Sequence, residues 1–480
     1  MMTLRRKLLF PVALSATFIL GCRGATSSEQ AIIKLDPKTT YQTITGWEAG
    51  AGIGQSDFPN QFQLWKDIVA DLAVNELGIN RVRLGISSGV ENMQDHWSDF
   101  RAGRIDRATL RCVRYSTIND NNDPFVINWS GFHFSALDQS VENVVLPLKR
   151  RLEANGERLY INLTYTAFTG QICGDLKYHH DSPEEYAEFV LATYLHLKNK
   201  YHLIPDAWNM ILEPDNTRFW RGTQIGNAIV AAANRLKAHG FTPRFIAPST
   251  TDMRNAATYF DAMIQVAGVL EYLAELSYHR YRGVSDATLR EIANRAVKYG
   301  INTAMLEHIG SGHENLHKDL KIGRNSAWQQ YTLAFPSTQD NGAHYYRIDN
   351  SNPDNPRIIM GSRTKFLRQY FKYIRSGAVR MEATTNNNDF DPLAFMNTNG
   401  KYVVVVKANR GGSFAIQGLP AGTYGITYTT PSQYDVHAAD VTISSGQALN
   451  ASIPERGVIT VHARVSTGPD PPAPLPQRKQ

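Results

Sequence analysis

Two glutamates end apolar runs where a buried strand would leave no room for a charge. Trp208-Asn209-Met210-Ile211-Leu212 is followed by Glu213 and then Pro214, which stops the run. Asn302-Thr303-Ala304-Met305-Leu306 is followed by Glu307. A single carboxylate at a strand tip is more often a solvated rim residue than a catalyst. Two such tips facing each other have a defined chemistry. Carboxyl groups about 5–5.5 Å apart can open an acetal, one attacking the anomeric carbon while the other protonates the leaving oxygen. That chemistry needs a scaffold that brings together two positions far apart in the chain.

The scaffold is legible as alternation. Short β-rich runs recur at Thr43–Gly50, Ile79–Ile86, Arg158–Tyr165, Ala207–Glu213, Pro243–Pro248, Glu275–Tyr281, Ile301–His308 and His344–Ile348. They are apolar and often β-branched, as parallel strands covered on both faces must be. Helical stretches separate them. Ser182-Pro183-Glu184-Glu185 supplies an N-cap, a first-turn Pro and an early Glu; Ser285-Asp286 starts another helix, which Gly300 ends. Strands alternating with helices predict an α/β fold, and eight units predict a (β/α)8 TIM barrel with Glu213 and Glu307 closing strands four and seven. An open doubly wound sheet would advertise a G-x-G-x-x-G turn, whose spacing Gly50-Ala51-Gly52-Ile53-Gly54 lacks. After Arg375 short strands and turn residues replace the helices, predicting an accessory antiparallel β-sandwich. The expected organisation is a signal peptide over 1–21, a lipidated tether over 22–31, an N-terminal strand of the sandwich over 32–42, the barrel over 43–376, the sandwich over 377–465 and a disordered Pro-rich tail over 466–480.

With these elements in place the chain resembles clan A glycoside hydrolases, and most nearly glycoside hydrolase family 30. Gln42-Thr43-Ile44-Thr45-Gly46-Trp47-Glu48-Ala49 is similar to that family's first-strand segment, and Arg81-Val82-Arg83-Leu84 to its second-strand arginine motif. Glu213-Pro214, Ser277-Tyr278-His279-Arg280-Tyr281, Glu307 and Ser376-Gly377-Ala378-Val379-Arg380 match further motifs in order. The resemblance spans about residues 32–465. It implies a retaining hydrolase with Glu307 as nucleophile and Glu213 as acid/base. It departs from the clan pattern at Leu212, where an Asn usually meets the sugar 2-hydroxyl; either Asn209, Asp215 or Asn216 takes over that contact, or the sugar is modified at that position.

The mechanism sets demands on the neighbours. Glu307 has to stay ionised, for which Arg81 or Arg83 can supply charge and Tyr281 a hydroxyl donor. Glu213 has to carry a proton near neutral pH, which burial and a second carboxylate favour. His279 is expected to orient a carboxylate or touch substrate, and Trp47, Glu48, Tyr165 and Asn216 complete the expected substrate-binding set. No cofactor is expected. Nor is a metal, since His179-His180-Asp181 are adjacent residues before a helix rather than a spaced ligand set.

The remaining signals concern location. Arg5, Arg6 and Lys7 precede an apolar run from Leu8 to Leu20 and then Gly21-Cys22. This is an export signal resembling a bacterial lipobox, with Cys22 as the lipidated residue. A lipid-anchored protein of the outer membrane or cell surface is expected, facing a carbohydrate. In an oxidising compartment Cys112 and Cys173 make an expected disulfide. The net charge of +6 is spread along the chain with no basic block, which argues against nucleic-acid binding. A monomer is expected. The alternative function is a surface lipoprotein that binds glycans on the same fold without turning them over.

Overall fold

The computed structural model describes residues 30–466. The export signal with Cys22, and residues 467–480 of the expected tail, lie outside the described residues. The first strand, β1 (Ala31–Thr43), belongs to a second sheet. Eight parallel strands then form the barrel: β2 (Gly46–Gly50), β3 (Arg81–Ser87), β4 (Tyr160–Thr166), β5 (Ala207–Asn209), β6 (Phe245–Asp252), β7 (Leu273–Arg282), β8 (Asn302–Glu307) and β9 (Asn325–Pro336). The cylinder closes because β9 pairs with β2 on one side and with β8 on the other, Ala327 standing in register with both Gly46 and Ala304.

Two corrections follow. The eighth barrel strand is β9, not the expected His344–Ile348. That segment is β10 (His344–Asp349), which lies outside the cylinder, parallel to the far end of β9 and antiparallel to β11 (Arg357–Met360). Both runs are buried, so burial could not separate them. Gln329 and Gln330 break the apolar pattern of β9, yet the amide nitrogen of each finds a backbone acceptor, Tyr331 O and Ser311 O, at 2.9 and 2.6 Å. The second correction concerns strand four. Its regular ladder ends at Asn209, and Glu213 lies beyond it at φ 52°, ψ 60°. The intervening chain still runs between its neighbours, with Leu212 N donating to Tyr165 O and Glu213 N to Ser249 O.

The lower interior of the barrel is a polar layer. Arg81 donates to both oxygens of Glu275 at 2.6 and 2.7 Å and from Nε to Glu48, while Asn162 donates to Glu48 at 3.1 Å. The guanidinium lies over the Tyr160 ring, and Glu48, Arg81, Asn162 and Glu275 are all buried. Inward residues of alternate strands stack in such layers in this fold.

The second sheet has nine strands. Added to β1 are β12 (Val379–Thr385), β13 (Phe390–Met396), β14 (Tyr402–Ala408), β15 (Gly412–Gln417), β16 (Gly422–Thr429), β17 (Val436–Ile443), β18 (Leu449–Ile453) and β19 (Gly457–Ser466), in the order β17-β16-β19-β14-β13-β12-β1-β15-β18. Every pairing is antiparallel except β1 with β15. Residues from both ends of this order, Tyr424 and Ile443 at one and Phe414 and Leu449 at the other, share one apolar core. The sheet therefore folds over on itself as a sandwich. It docks on the barrel through the helix Ser362–Phe371, whose Gln369 bonds Thr427, Thr429 and Thr460.

Candidate active site

The C-terminal ends of the strands gather the ionisable residues. On β8, Glu307 is the last strand residue, and on β7 His279 stands in register with it. Two positions on, Tyr281 points to the same side, and its hydroxyl donates to Glu307 Oε1 at 2.9 Å. Arg83 of β3 places Nη1 2.7 Å from Glu307 Oε2 as an ion pair, donates to Leu306 O at 3.2 Å and lies over the Tyr331 ring of β9. His279 Nδ1 is 2.9 Å from Glu213 Oε1, and Asn216 donates to Glu213 Oε2 at 2.9 Å. One oxygen of Glu213, one of Glu307 and one ring nitrogen of His279 all lie within 4.8 Å of one another.

The local backbone explains how Glu213 gets there. A non-glycine residue in the left-handed region costs roughly 1–2 kcal/mol. The turn that imposes it is held by Asp215, which accepts from Thr251 N and Asp252 N at 2.8 and 3.0 Å and from Asn255 at 3.0 Å. Asn216 is tied to the same neighbour, donating to Thr251 Oγ1 at 2.8 Å. The strain thus sits in a loop that β6 and the helix after it overdetermine.

The electrostatics favour an ionised Glu307. Burial pushes the Glu307 carboxyl up, but the Arg83 charge, His279 and the Tyr281 hydroxyl together outweigh it and hold the carboxyl below its ordinary range. Burial and the Glu307 charge hold the Tyr281 hydroxyl well above its ordinary range, so it remains a donor. Glu213 keeps 12% of its side chain exposed and Glu307 10%, so both reach the mouth without standing in bulk solvent.

Of the residues expected here, the structure brings Glu213, Glu307, Arg83, Asn216, His279 and Tyr281 together. Four others lie elsewhere. Arg81 and Glu48 point inward but belong to the sealed layer below, spent on each other and on Glu275. Trp47 and Tyr165 alternate with inward residues and so face the helices. Trp47 stacks on Phe371 and donates to Ile374 O, while Tyr165 packs edge-on to Tyr186 with its hydroxyl 2.8 Å from His180 Nδ1. Both are fully buried, with no surface to offer a ligand. Tyr331 was not expected. The Arg83 guanidinium lies over its ring at 5.7 Å, and burial, with the Glu307 charge next, pushes its hydroxyl up. Its signal is the run Ala327-Trp328-Gln329-Gln330-Tyr331-Thr332-Leu333, which is hidden when His344–Ile348 is taken as strand eight. Of the residues available in place of an Asn at 212, Asn209 is committed to Ser249 and Asp215 to the turn; Asn216 alone faces Glu213.

Glu213, His279 and Glu307 are also a geometric set that could approach a cation. Arg83 and Tyr281 already meet both oxygens of Glu307, and a guanidinium there supplies the positive charge that an ion would bring. His179 and His180 diverge, the first to Thr117 and the second to Glu91 and Tyr165. The sulfurs of Cys112 and Cys173 are bonded, which fastens the helix Arg107–Val113 to the loop after β4.

A cylinder with catalytic-type carboxylates at its mouth and a sandwich built from both ends of the described chain defines a class of architecture, and solved structures share it. A glycoside hydrolase family 30 endoxylanase from Clostridium papyrosolvens C71 superposes with a TM-score of 0.62 at 16% identity, over 91% of this chain and 100% of that one. A conserved exported protein from Bacteroides fragilis gives 0.66 at 13%, over 90% and 100%. An endo-β1,6-glucanase gives 0.61 at 16%, over 91% and 94%. The likeness is one of fold, a TIM barrel with an attached β-sandwich. No protein-family model matches the sequence, and no curated protein matches it.

Proposed function

We propose that the chain is a retaining glycoside hydrolase that cleaves β-glycosidic bonds of a poly- or oligosaccharide outside the cytoplasm. The observation that carries this reading is the approach of Glu213 and Glu307 oxygens to within 4.8 Å. Retention is associated with carboxyls about 5–5.5 Å apart, whereas inversion needs about 6.5–9.5 Å to admit a water between them. The family 30 endoxylanase and the β1,6-glucanase that share the fold support the β-glycoside part.

In this reading Glu307, kept ionised by Arg83 and Tyr281, attacks the anomeric carbon while Glu213 gives its proton to the leaving oxygen. Esterification removes the Glu307 charge. Glu213, now a carboxylate, takes a proton from water, which attacks the same carbon and releases Glu307. His279 and Asn216 hold one Glu213 oxygen each and fix its direction. The Gly21-Cys22 signal supports a lipid anchor at the outer membrane or cell surface, and Cys22→Ser should move the protein from the membrane fraction to the soluble one. A monomeric state is tested by light scattering on that soluble form.

Leu212 favours a second reading, glycan binding without turnover, because no side-chain hydrogen bond can come from that position. One experiment separates the two. The chain is screened on a panel of polysaccharides with product analysis, alongside Glu307→Gln and Glu213→Gln. Turnover abolished by Glu307→Gln and lowered about 10²–10⁴-fold by Glu213→Gln, with melting temperatures unchanged, is the expected result. Full activity in Glu307→Gln removes the nucleophile. Oligosaccharide binding with no product on any polymer selects the second reading.

A further inference from the structure

Beside the catalytic groups, and not containing them, is a cavity of about 630 Å³. Its floor is the C-terminal end of β3, Gly85 to Ser87, and Thr166 of β4. Gly85 follows Arg83 by two residues, a rise of about 7 Å along the strand. The cavity therefore opens on the same end of the barrel as Glu307 and next to the strand that steadies it. Its walls come from the long excursion between β3 and β4, which places two short helices there, His96–Arg101 and Arg107–Val113.

The charge on one wall is unusual. Arg107, Arg111 and Arg114 all line the cavity, and their spacing of four and three residues puts them on one face of a helix. Arg107 is paired with Asp57. The other acidic residue of the lining, Asp95, is consumed as a helix cap, accepting from Ser98 N, Ser98 Oγ and Ser135 Oγ. No ion pair engages Arg111 or Arg114 among the described residues; Arg114 only overlies the Tyr115 ring at 4.6 Å. Two guanidinium forks on one wall thus carry uncompensated charge. The other helix contributes Trp97 and Phe100, whose rings are 5.8 Å apart. The arginine wall is fixed in place. Asp106 caps its helix at Thr109 N, and Cys112, next to Arg111, is bonded to Cys173, two residues from Gln171 of the opposite rim.

Aromatic faces accept sugar rings, and a guanidinium offers paired donors that match a carboxylate or a sulfate. From this geometry we infer a glycan subsite selective for an anionic substituent, a sugar carboxylate or sulfate ester, held between Trp97 and the Arg111–Arg114 face. That the bound glycan is also the one cleaved rests on the hydrolase reading; that it is bound does not.

The test uses the full chain and three soluble polymers: a β-glucan, the same glucan oxidised to the C6 carboxylate, and the same glucan sulfated. Affinities are measured by affinity electrophoresis, and cleavage is followed in parallel. The expected result is binding of at least one anionic form about tenfold tighter than the parent, a margin that shrinks with added salt. R111Q/R114Q should remove the margin and keep both parent binding and melting temperature, because both side chains are exposed. R456Q, an exposed arginine of the sandwich, should keep the margin. The carboxylate and sulfate arms decide which anion is read. Equal affinity for all three polymers, or a margin that survives R111Q/R114Q, overturns the subsite. An arginine-dependent margin without any cleavage leaves the subsite standing and removes the hydrolase reading. Cleavage with no margin does the reverse.

Discussion

Arg81 and Arg83 are two residues apart on one strand, point to the same side and have different fates. One layer of the barrel, about 7 Å, separates a sealed ion-pair network from the ion pair that steadies Glu307. Burial alone would raise the Glu307 carboxyl, and Arg83 is the largest influence holding it down. Arg83→Met should therefore raise it and move the acidic limb of the kcat/KM profile to higher pH, with kcat/KM down about 10²-fold. Arg83→Lys should recover part of the loss. The linkage has a definite sign. A carboxyl held below its unfolded value adds stability above that value and loses it as pH falls through the folded one. Without Arg83 the contribution reverses, so the variant should be more destabilised at pH 7 than at pH 4. An unmoved acidic limb would show that Arg83 does not set the state of Glu307. Alternation along the strands was legible in the sequence: it pairs His279 with Tyr281, and it could have excluded Trp47 as the neighbour of an inward Glu48. Depth was not legible, because it depends on how far each strand is staggered within the closed cylinder.

Strand existence was easier to read than strand rank. Seven barrel strands lie where buried parallel strands should, as largely apolar runs whose few interior charges, Glu48, Arg83 and Glu275 among them, point into the barrel and are paired there. The eighth was missed because two adjacent glutamines look like a loop until their backbone acceptors are known. The inward residues of strands such as β2, β3 and β7 then carry an argument of their own. Arg81 is the counter-charge that Glu48 and Glu275 share at a place where none of the three meets water. Arg81→Met should leave two buried carboxylates without a counter-charge and cost about 3–5 kcal/mol in chemical denaturation. Combining it with Glu48→Gln and Glu275→Gln should restore most of that, since a neutral layer of similar volume needs no ion pair. A loss below about 1 kcal/mol in Arg81→Met would mean that the layer tolerates unpaired charge and is not what fixes the register of β2, β3 and β7.

At the scale of the molecule, the first described strand holds the second domain together. β1 lies between β12 and β15, seventh in the nine-strand order, so β15 and β18 reach the rest of that sheet only through it. Its Ala31 and Ile33 are buried in the sandwich core. Its end is tied to the barrel. Gln42 donates to Leu320 O and Asn325 O at 2.8 and 3.2 Å, and the Tyr41 ring is contacted by Arg324 of the β8–β9 connection and by Arg380 of β12. The sandwich is thus a part of the barrel's outer wall, fastened also through Gln369, and not a module on a linker. A chain beginning at Ile44 should lose both: β15 and β18 would be detached, and the core around Phe414 and Ile416 would open. The expected outcome is an insoluble product or a broad melt well below that of the intact chain, with no turnover even though Glu213 and Glu307 are both present. A truncated chain that melts within a few degrees of the intact one and keeps its activity would show that the barrel stands alone, and that the strand order places β1 without making it necessary.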